Sequence, residues 1–469
     1  MSTALHKLSL AQAGAMLRAG ALTSRALTEH ALARITAFEP KINAFITLTG
    51  DRALAEAAAA DAAFARGEDR GPLQGIPYGL KDIYETAGLR TTCHSKLRLD
   101  HVPDADCAVQ ERLRAQGAVL LGKLATFEFA LGGPSFDLPF PPARNPWNTE
   151  HSPGGSSSGS AAAVAAGYMR LAMGSCTGGS IRGPAALCGI TGIKPTFGLI
   201  SRRGIFPLSP SLDHAGPLTT SVEDAAITLD ALAGFDPRDP ASARVAKPDF
   251  AGTLHTGVKG LRIGVPRHFF EQARGVSRET IAGIDRALDA LRDLGAHVYE
   301  VTLPDYDDFA ACGRVIMFTE AFAIHQQDFR ARPMDFAANT YQRMMMGAFV
   351  TGADIVQAQR LRRELTQAAN TVLNTCDALI SACALDAAPA FGGTGEWTAP
   401  SDSPNQTMPW NVTGHPALSL PTGLNTAGLP LSLQIIGKHF DEPMVLRIAA
   451  ALERALALPL RAPLEDSNH

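Results

Sequence analysis

The densest chemistry in the chain lies between Arg144 and Pro195, in the stretch RNPWNTEHSPGGSSSGSAAAVAAGYMRLAMGSCTGGSIRGPAALCGITGIKP. Two serine-bearing turns flanked by glycine, at Ser156 and Ser180, bracket an alanine-rich run from Ser160 to Ala166. A flexible Gly/Ser tether carries nothing apolar to bury, whereas these small residues continue straight into a run suited to a closely packed helix. Gly178 and Gly179 lack the Cβ that would block tight turns, so the backbone N–H groups around Ser180 can converge on one point. A hydroxyl beside such a nest is what acyl transfer needs, a nucleophile with donors waiting where the oxyanion forms. Upstream, Lys81 sits within an apolar stretch, where a lysine can snorkel to solvent, pair with Asp82 or stay buried with a depressed pKa. To serve as a base near neutrality its pKa must come down to about 7, a differential of roughly 4 kcal/mol against an ordinary lysine.

Other chemistries compete for the same residues. Gly155 to Gly159 fits G-x-S-x-G, which makes Ser157 a nucleophile-elbow candidate with Asp386 and His415 as partners. An elbow needs a strand immediately before it, and Arg144 to Pro153 carries turn signals at Asn145, Pro146, Asn148 and Pro153 instead. Cys176 also lies beside the glycines, although cysteine is often just a small buried residue. Gly117 to Lys123 resembles a phosphate loop, but Leu124 replaces the Ser or Thr that would hold magnesium, and four apolar residues between the glycines read as strand. No Cys or His spacing suggests a zinc site, so neither a metal nor a cofactor is implied.

The elements that must position these groups follow from periodicity. Residues 23 to 39 predict an amphipathic helix capped by Thr23, with Leu27, Ala31, Ile35 and Phe38 on one face and Pro40 after its end. A second helix is expected from Asp51 to Arg66. Gly75 to Tyr84 reads as a buried strand carrying Lys81. A helix from Asp106 to Gln116 and a strand from Ala118 to Leu121 begin an α/β alternation. Leu261 to Val265, Ser277 to Leu294 and His297 to Leu303 form a strand–helix–strand unit. The segment from about 305 to 370 is mainly helical and rich in Phe and Met, and Met344 to Met346 reads as core filling. Strands at Ala378 to Ala382, Pro416 to Leu420 and Leu431 to Ile436 and a helix near Pro443 to Leu456 complete the chain. The expected fold is α/β with a mixed sheet, in a single domain over 1–469 with a helical cover segment at about 305–370.

Composition narrows the class of function. Of 469 residues, 46% are apolar, and a net charge of −4 with scattered Lys and Arg leaves no basic stripe for nucleic acid. Seven cysteines with no CxxC pair suit a reduced, intracellular protein. The N-terminus is interrupted by His6, Lys7 and Arg18 and lacks a signal-peptide core, and no run of about 20 apolar residues exists to cross a bilayer. The expected setting is cytoplasmic, without membrane or nucleic-acid partners.

Several ordered blocks resemble the amidase signature family over nearly the whole chain. They are Gly75–Asp82, Pro153–Ser157, Gly178–Arg182, Gly192–Gly198, Ser211–Pro217 and Asn411–Ala417. The resemblance implies the amidase-signature fold, a large mixed β-sheet core covered by helices on both faces. It also implies a Ser–cis-Ser–Lys triad of Ser180 (nucleophile), Ser156 (proton relay, after a cis Gly155–Ser156 bond) and Lys81 (base). An oxyanion hole of backbone N–H groups from Thr177, Gly178, Gly179 and Ser180 goes with it, supported by Ser157 and Arg182. The stretch from Phe127 to Pro142, with Leu131, Gly132, Phe136 and Phe140, is expected to border the acyl site, and its apolar character leans towards a hydrophobic or aromatic substrate.

The chain departs from the family at two positions near these residues. Ser158 stands where glycine is usual, and Cys176 where aspartate is common, which removes an expected partner of Arg182. The leading expectation is a stand-alone amidohydrolase of a small amide, anilide or carbamate, with ester hydrolysis as an extension and a homodimer as the assembly considered. The alternative is the A subunit of a glutamine-dependent tRNA amidotransferase, which shares the segment resembled by Tyr341 to Gly347. That subunit expects an acidic residue near where this chain has Pro404.

Overall fold

A computed structural model describes residues 5–391, 405–458 and 462–464. The first six strands are β1 (Phe45–Leu48), β2 (Pro77–Lys81), β3 (Val119–Leu124), β4 (Leu171–Cys176), β5 (Thr191–Lys194) and β6 (His214–Thr219). Five more follow as β7 (Arg262–Val265), β8 (His297–Glu300), β9 (Ala378–Ala382), β10 (Ala417–Leu424) and β11 (Pro430–Ile436). All belong to one 11-stranded sheet in the order β1-β3-β2-β4-β6-β5-β10-β11-β9-β7-β8. Two parallel blocks, β3-β2-β4 and β9-β7-β8, are joined through an antiparallel centre. The mixed sheet is therefore the expected α/β architecture.

Both faces of the sheet are covered, as alternation along its strands shows. Tyr78 and Leu80 of β2, Leu120 of β3 and Met173 of β4 enter one core with Leu113, Leu229 and Leu288 from helices. Val119 and Leu121 of β3 and Ala172 of β4 enter the other with Ile35, Phe38, Ala57 and Ala162. Such strands read as continuous apolar runs because neither side meets water. Edge strand β1 packs so closely that a Cβ on Gly122 would lie 2.1 Å from the Thr47 carbonyl oxygen.

Most elements fall where periodicity puts them. Thr23 caps the helix Ser24–Ile42, its hydroxyl accepting from the Ala26 N–H at 3.1 Å. Pro40, expected beyond the helix, lies within its last turn, and Asn43 closes the end with φ 54. So near the C-terminus a missing N–H costs a single ladder bond. Strands β7 and β8 pair in parallel around the helix Arg278–Asp293, as a strand–helix–strand unit requires.

From residue 306 on, the helices Tyr306–Ala331, Ala338–Met345 and Gly352–Leu373 follow one another. Buried Glu128 fastens them to the sheet side, accepting from the Ser95 hydroxyl at 2.6 Å and the Ala337 N–H at 2.9 Å. Met344 is fully buried, as core filling demands, whereas Met346 is exposed.

Candidate active site

Lys81 is the last residue of β2 and is wholly buried. Because β2 and β4 run parallel with Leu80 opposite Met173, Lys81 and Ser175 emerge together at the carboxyl ends of their strands. The Lys81 Nζ donates to Ser156 Oγ at 2.7 Å and to Ser175 Oγ at 2.8 Å. Burial pushes its pKa down to about 7, against the opposing pull of Cys176, Asp213 and Cys93. Asp82 does not pair with it. That carboxylate turns away to Lys123 Nζ at 3.3 Å and to the Thr92 N–H and hydroxyl at 2.9 and 2.5 Å.

Ser156 is only 2% exposed and follows a cis peptide bond from Gly155. A Cβ on Gly155 would fall 2.2 Å from the Phe127 ring, so glycine there lets the aromatic wall close on the turn. Ser157 does not face the cavity. Its hydroxyl exchanges contacts with the Ser175 backbone, both at 3.3 Å, and its N–H donates to the Ser180 carbonyl at 3.2 Å. Ser157 thus ties the two serine turns together.

The second turn leaves β4 at Cys176 and enters the helix Arg182–Cys188 after Ser180. It is held from two sides. The Thr177 hydroxyl donates to Asp213 Oδ1 at 2.6 Å, and Asp213 Oδ2 accepts from the Leu208 and Ser209 N–H groups. On the other side the Thr407 hydroxyl donates to the Gly178 carbonyl at 2.6 Å. Gly179 has φ 149, and a Cβ there would meet Thr407 Oγ1 at 2.0 Å, so no side chain fits.

Ser180 is partly exposed and opens with Ser156, Thr177, Gly178 and Gly179 into a cavity of about 170 Å³. Phe127, Ala130, Leu131 and Gly132 line it, as expected for that stretch. Phe136 and Phe140 do not: Phe136 is 59% exposed against Phe391, and Phe140 packs on His94. Apolar character alone could not say which aromatic of a loop turns inward. The opposite wall comes from one stripe of the helix Tyr306–Ala331, namely Tyr306, Ala310, Arg314, Met317 and Phe318, joined by Arg343. The wall is thus less uniformly apolar than the sequence suggests. Its described residues include two guanidinium groups and no carboxylate.

The competing arrangements do not assemble. No strand precedes Ser157; the strand–turn–helix instead carries Ser180. His415 is engaged by Thr413 and Asn370 at 2.8 and 2.9 Å, and Asp386 is exposed, so neither serves a hydroxyl at Ser157. Cys176 is fully buried outside the cavity lining. Strand β3 runs through the second glycine of the phosphate-loop look-alike, and Lys123 is buried against the Tyr84 carbonyl and Thr91 hydroxyl, both at 2.6 Å. Among the described residues no cluster of three His, Cys, Asp or Glu is placed to hold a metal ion, and no helix is long and apolar enough to cross a membrane.

Arg182, also buried, reaches Gln434 Oε1, the Thr407 carbonyl and Asn411 Oδ1. Ser158 opens the alanine-rich helix, its hydroxyl donating to the Ala125 carbonyl at 3.4 Å. Residues that sequence reasoning missed are Ser175, Asp213, Thr407, Tyr306, Arg314 and Arg343. Ser175 and Asp213 sit within or next to the quoted blocks and were within reach; Arg314 has no local signal. Pro404 lies outside the described residues.

A profile of the amidase family matches residues 26–446. The A subunit of the glutamyl-tRNA(Gln) amidotransferase of Roseiflexus sp. (strain RS-1) is 40% identical over 98% of this chain and 99% of its own. A solved structure described as an unexpected vestigial protein complex that reveals the evolutionary origins of an s-triazine catabolic enzyme is 36% identical at a TM-score of 0.90, covering 95% of this chain and 98% of that one. The peptide amidase of Stenotrophomonas maltophilia is 33% identical at a TM-score of 0.86, covering 98% and 99%. With a match running from the first long helix into the last, and neighbours alike over nearly their whole length, the chain belongs to the amidase signature family.

Proposed function

We propose that the protein cleaves a C–N amide bond through an acyl-enzyme on Ser180. The observation that carries this reading is the buried 2.7 Å contact from Lys81 Nζ to Ser156 Oγ beside the cavity into which Ser180 opens. Neutral Lys81 accepts the Ser156 proton as Ser156 accepts that of Ser180, and the freed Ser180 oxygen bonds to the substrate carbonyl carbon. The carbonyl electron pair moves onto oxygen, where the backbone N–H groups of Thr177 to Ser180 receive it, each donor contributing around 3 kcal/mol. Collapse breaks the C–N bond while Ser156 returns a proton to the leaving nitrogen and takes one back from Lys81. Water then repeats the relay, releasing the acid and restoring Ser180.

Two settings accommodate this chemistry, and the comparisons favour the alternative over the stand-alone hydrolase of a small amide, anilide or carbamate. Relatives named as A subunits of glutamyl-tRNA(Gln) amidotransferase are 38–40% identical over almost the full chain. Two guanidinium groups without a described carboxylate in the cavity wall also suit an amide that bears a carboxylate, as glutamine does. The stand-alone reading retains support from the peptide amidase neighbour. The deciding experiment is hydrolysis of glutamine, aliphatic amides, anilides, carbamates and esters by wild type and Ser180→Ala, with and without chains that copurify from the native host. Glutamine hydrolysis that rises with a copurifying chain supports the amidotransferase role; turnover of other amides by the isolated chain or its homodimer supports the hydrolase. Full turnover by Ser180→Ala rejects the mechanism.

A further inference from the structure

Lys81 has a hydroxyl on each side of it. Its Nζ meets Ser156 Oγ at 2.7 Å and Ser175 Oγ at 2.8 Å, and the two serines belong to different cavities. Ser156 lines the cavity into which Ser180 opens, and Ser175 does not. Ser175 instead lines a second cavity, of about 210 Å³, together with Ile83, Asp213 and His214. Met173 and Ser175, two residues apart on β4, share one face of the sheet. Because Met173 enters the same core as Ile83, the Ser175 side chain points towards this second cavity. Ala130 and Leu208 line both cavities and form their common wall. The second cavity is bordered at its mouth by Pro210, Arg238 and Pro240, all exposed. The wholly buried amine therefore bridges two compartments.

We propose that Ser175 is the proton door of Lys81, passing protons between the amine and water in the second cavity while substrate or acyl group fills the first. It acts through Lys81 and touches no substrate, and the inference rests on Lys81 serving as the base in the mechanism proposed above. With Ser180 acylated, Ser156 faces an occupied cavity, and a protonated Lys81 must shed its proton before water can be activated. In that step an Nζ–H bond breaks as Ser175 Oγ takes the proton. The Ser175 O–H bond breaks in turn as its own proton passes to a cavity water, which hands it to bulk solvent. The reverse sequence reloads the amine. Ser175 Oγ is suited to this, since it accepts from Lys81 and donates in no described hydrogen bond. The second cavity is suited to water. At roughly 30 Å³ for each molecule it has room for several. Its lining residues also carry polar atoms without a described partner. His214 Nδ1 meets the Leu212 carbonyl at 2.7 Å, and a carbonyl only accepts, so Nδ1 donates. Burial keeps the ring neutral, which leaves Nε2 an acceptor with no described partner. Arg202 Nε likewise has none.

The test is exchange of the Lys81 Nζ protons with water, read by nitrogen NMR of the folded chain labelled at lysine and assigned by the signal lost in Lys81→Met. Ser175→Val and Ser175→Thr share a shape and differ in the hydroxyl. The valine variant should slow exchange by about 10²-fold, the low end of what one positioned acid–base group contributes, and the threonine variant should keep it near wild type. Ser156→Ala, which removes the hydroxyl facing the first cavity, should leave exchange in place. A merely structural loss at Ser175 would loosen the packing around Lys81 and speed exchange instead. If Ser175→Val does not fold, wild type whose Ser180 has been sulfonylated by phenylmethylsulfonyl fluoride decides the matter, since exchange must persist with the first cavity blocked. Valine at the wild-type rate, or exchange lost on sulfonylation, overturns the proposal. Neither reading needs turnover. A chain that hydrolyses no amide would reject the proposed function and leave the route standing, whereas Ser180-dependent turnover with exchange indifferent to Ser175 would reject the route alone.

Discussion

The seat of Lys81 and the helical wall opposite it solve different problems with different materials. Lys81, Ser156 and Ser175 lie at 0, 2 and 5% exposure, held by adjacent parallel strands and by hydrogen bonds under 3 Å. Arg314 stands half-buried on one helix and has no described hydrogen bond or ion pair. A group that must exchange a proton at a fixed distance needs a site the sheet predetermines. A group that selects a substrate is left for the substrate to satisfy, and its helix can vary without disturbing the strands. On the mechanism proposed above, the proton transfer is anchored at the strand ends, and discrimination falls to the helices.

Ser180→Ala should separate the two regions most sharply, lowering kcat by roughly 10³-fold or more while leaving binding of a matched amide in place. Equilibrium dialysis with the inactive variant checks the second half. Lys81→Met should fall nearly as far in kcat, and the double variant no further than either, because the groups act as one unit. Lys81→Met should at the same time raise stability near neutrality, on the order of 2 kcal/mol in denaturant unfolding. The sign follows from protons bound. Between about 7 and the ordinary lysine value of 10.5 the native amine is neutral while the unfolded chain's is charged, so wild-type stability should rise with pH across that window and the variant's should not. By the same titration wild-type kcat/KM should climb with pH through about 7 to a plateau.

How much of this was legible beforehand follows the same division. Sheet strands announce themselves as short apolar runs, so Lys81 could be placed in a buried strand, and glycine-flanked serines pointed to the turns. What could not be read was adjacency. Ser175 meets Lys81 only because β2 and β4 are parallel neighbours in a particular register. β4, β5 and β6, rich in Gly, Ser, Pro and Thr, lack the β-branched pattern that identifies a strand alone, and tertiary pairing makes them strands. Arg314 was out of reach for another reason, since an arginine in an otherwise apolar helix stripe looks the same whether it caps a surface or faces a substrate.

Arg314→Gln sharpens the comparison with a smaller effect. If the helical wall selects substrate by charge, KM for a carboxylate-bearing amide should rise about tenfold, the equivalent of about 1.4 kcal/mol, with kcat little changed. A neutral amide of the same shape should be hydrolysed as before. An equal loss on both substrates would assign Arg314 to packing and return discrimination to the sheet side.

The smallest effect is expected at Phe136, which the sequence places beside the acyl site and the structure places outside it. Its ring is 59% exposed and packs edge-on against Phe391, at 5.8 Å between centroids. Phe136→Ser should therefore shift stability by no more than about 0.5 kcal/mol in thermal or denaturant unfolding, as surface changes away from special features do. KM and kcat for every substrate of the panel should stay at wild-type values. A selective rise in KM for aromatic amides would instead show that the loop from Phe127 to Pro142 folds inward over a bound substrate, and the division between a fixed sheet side and a selecting helical wall would have to include a third, moving part.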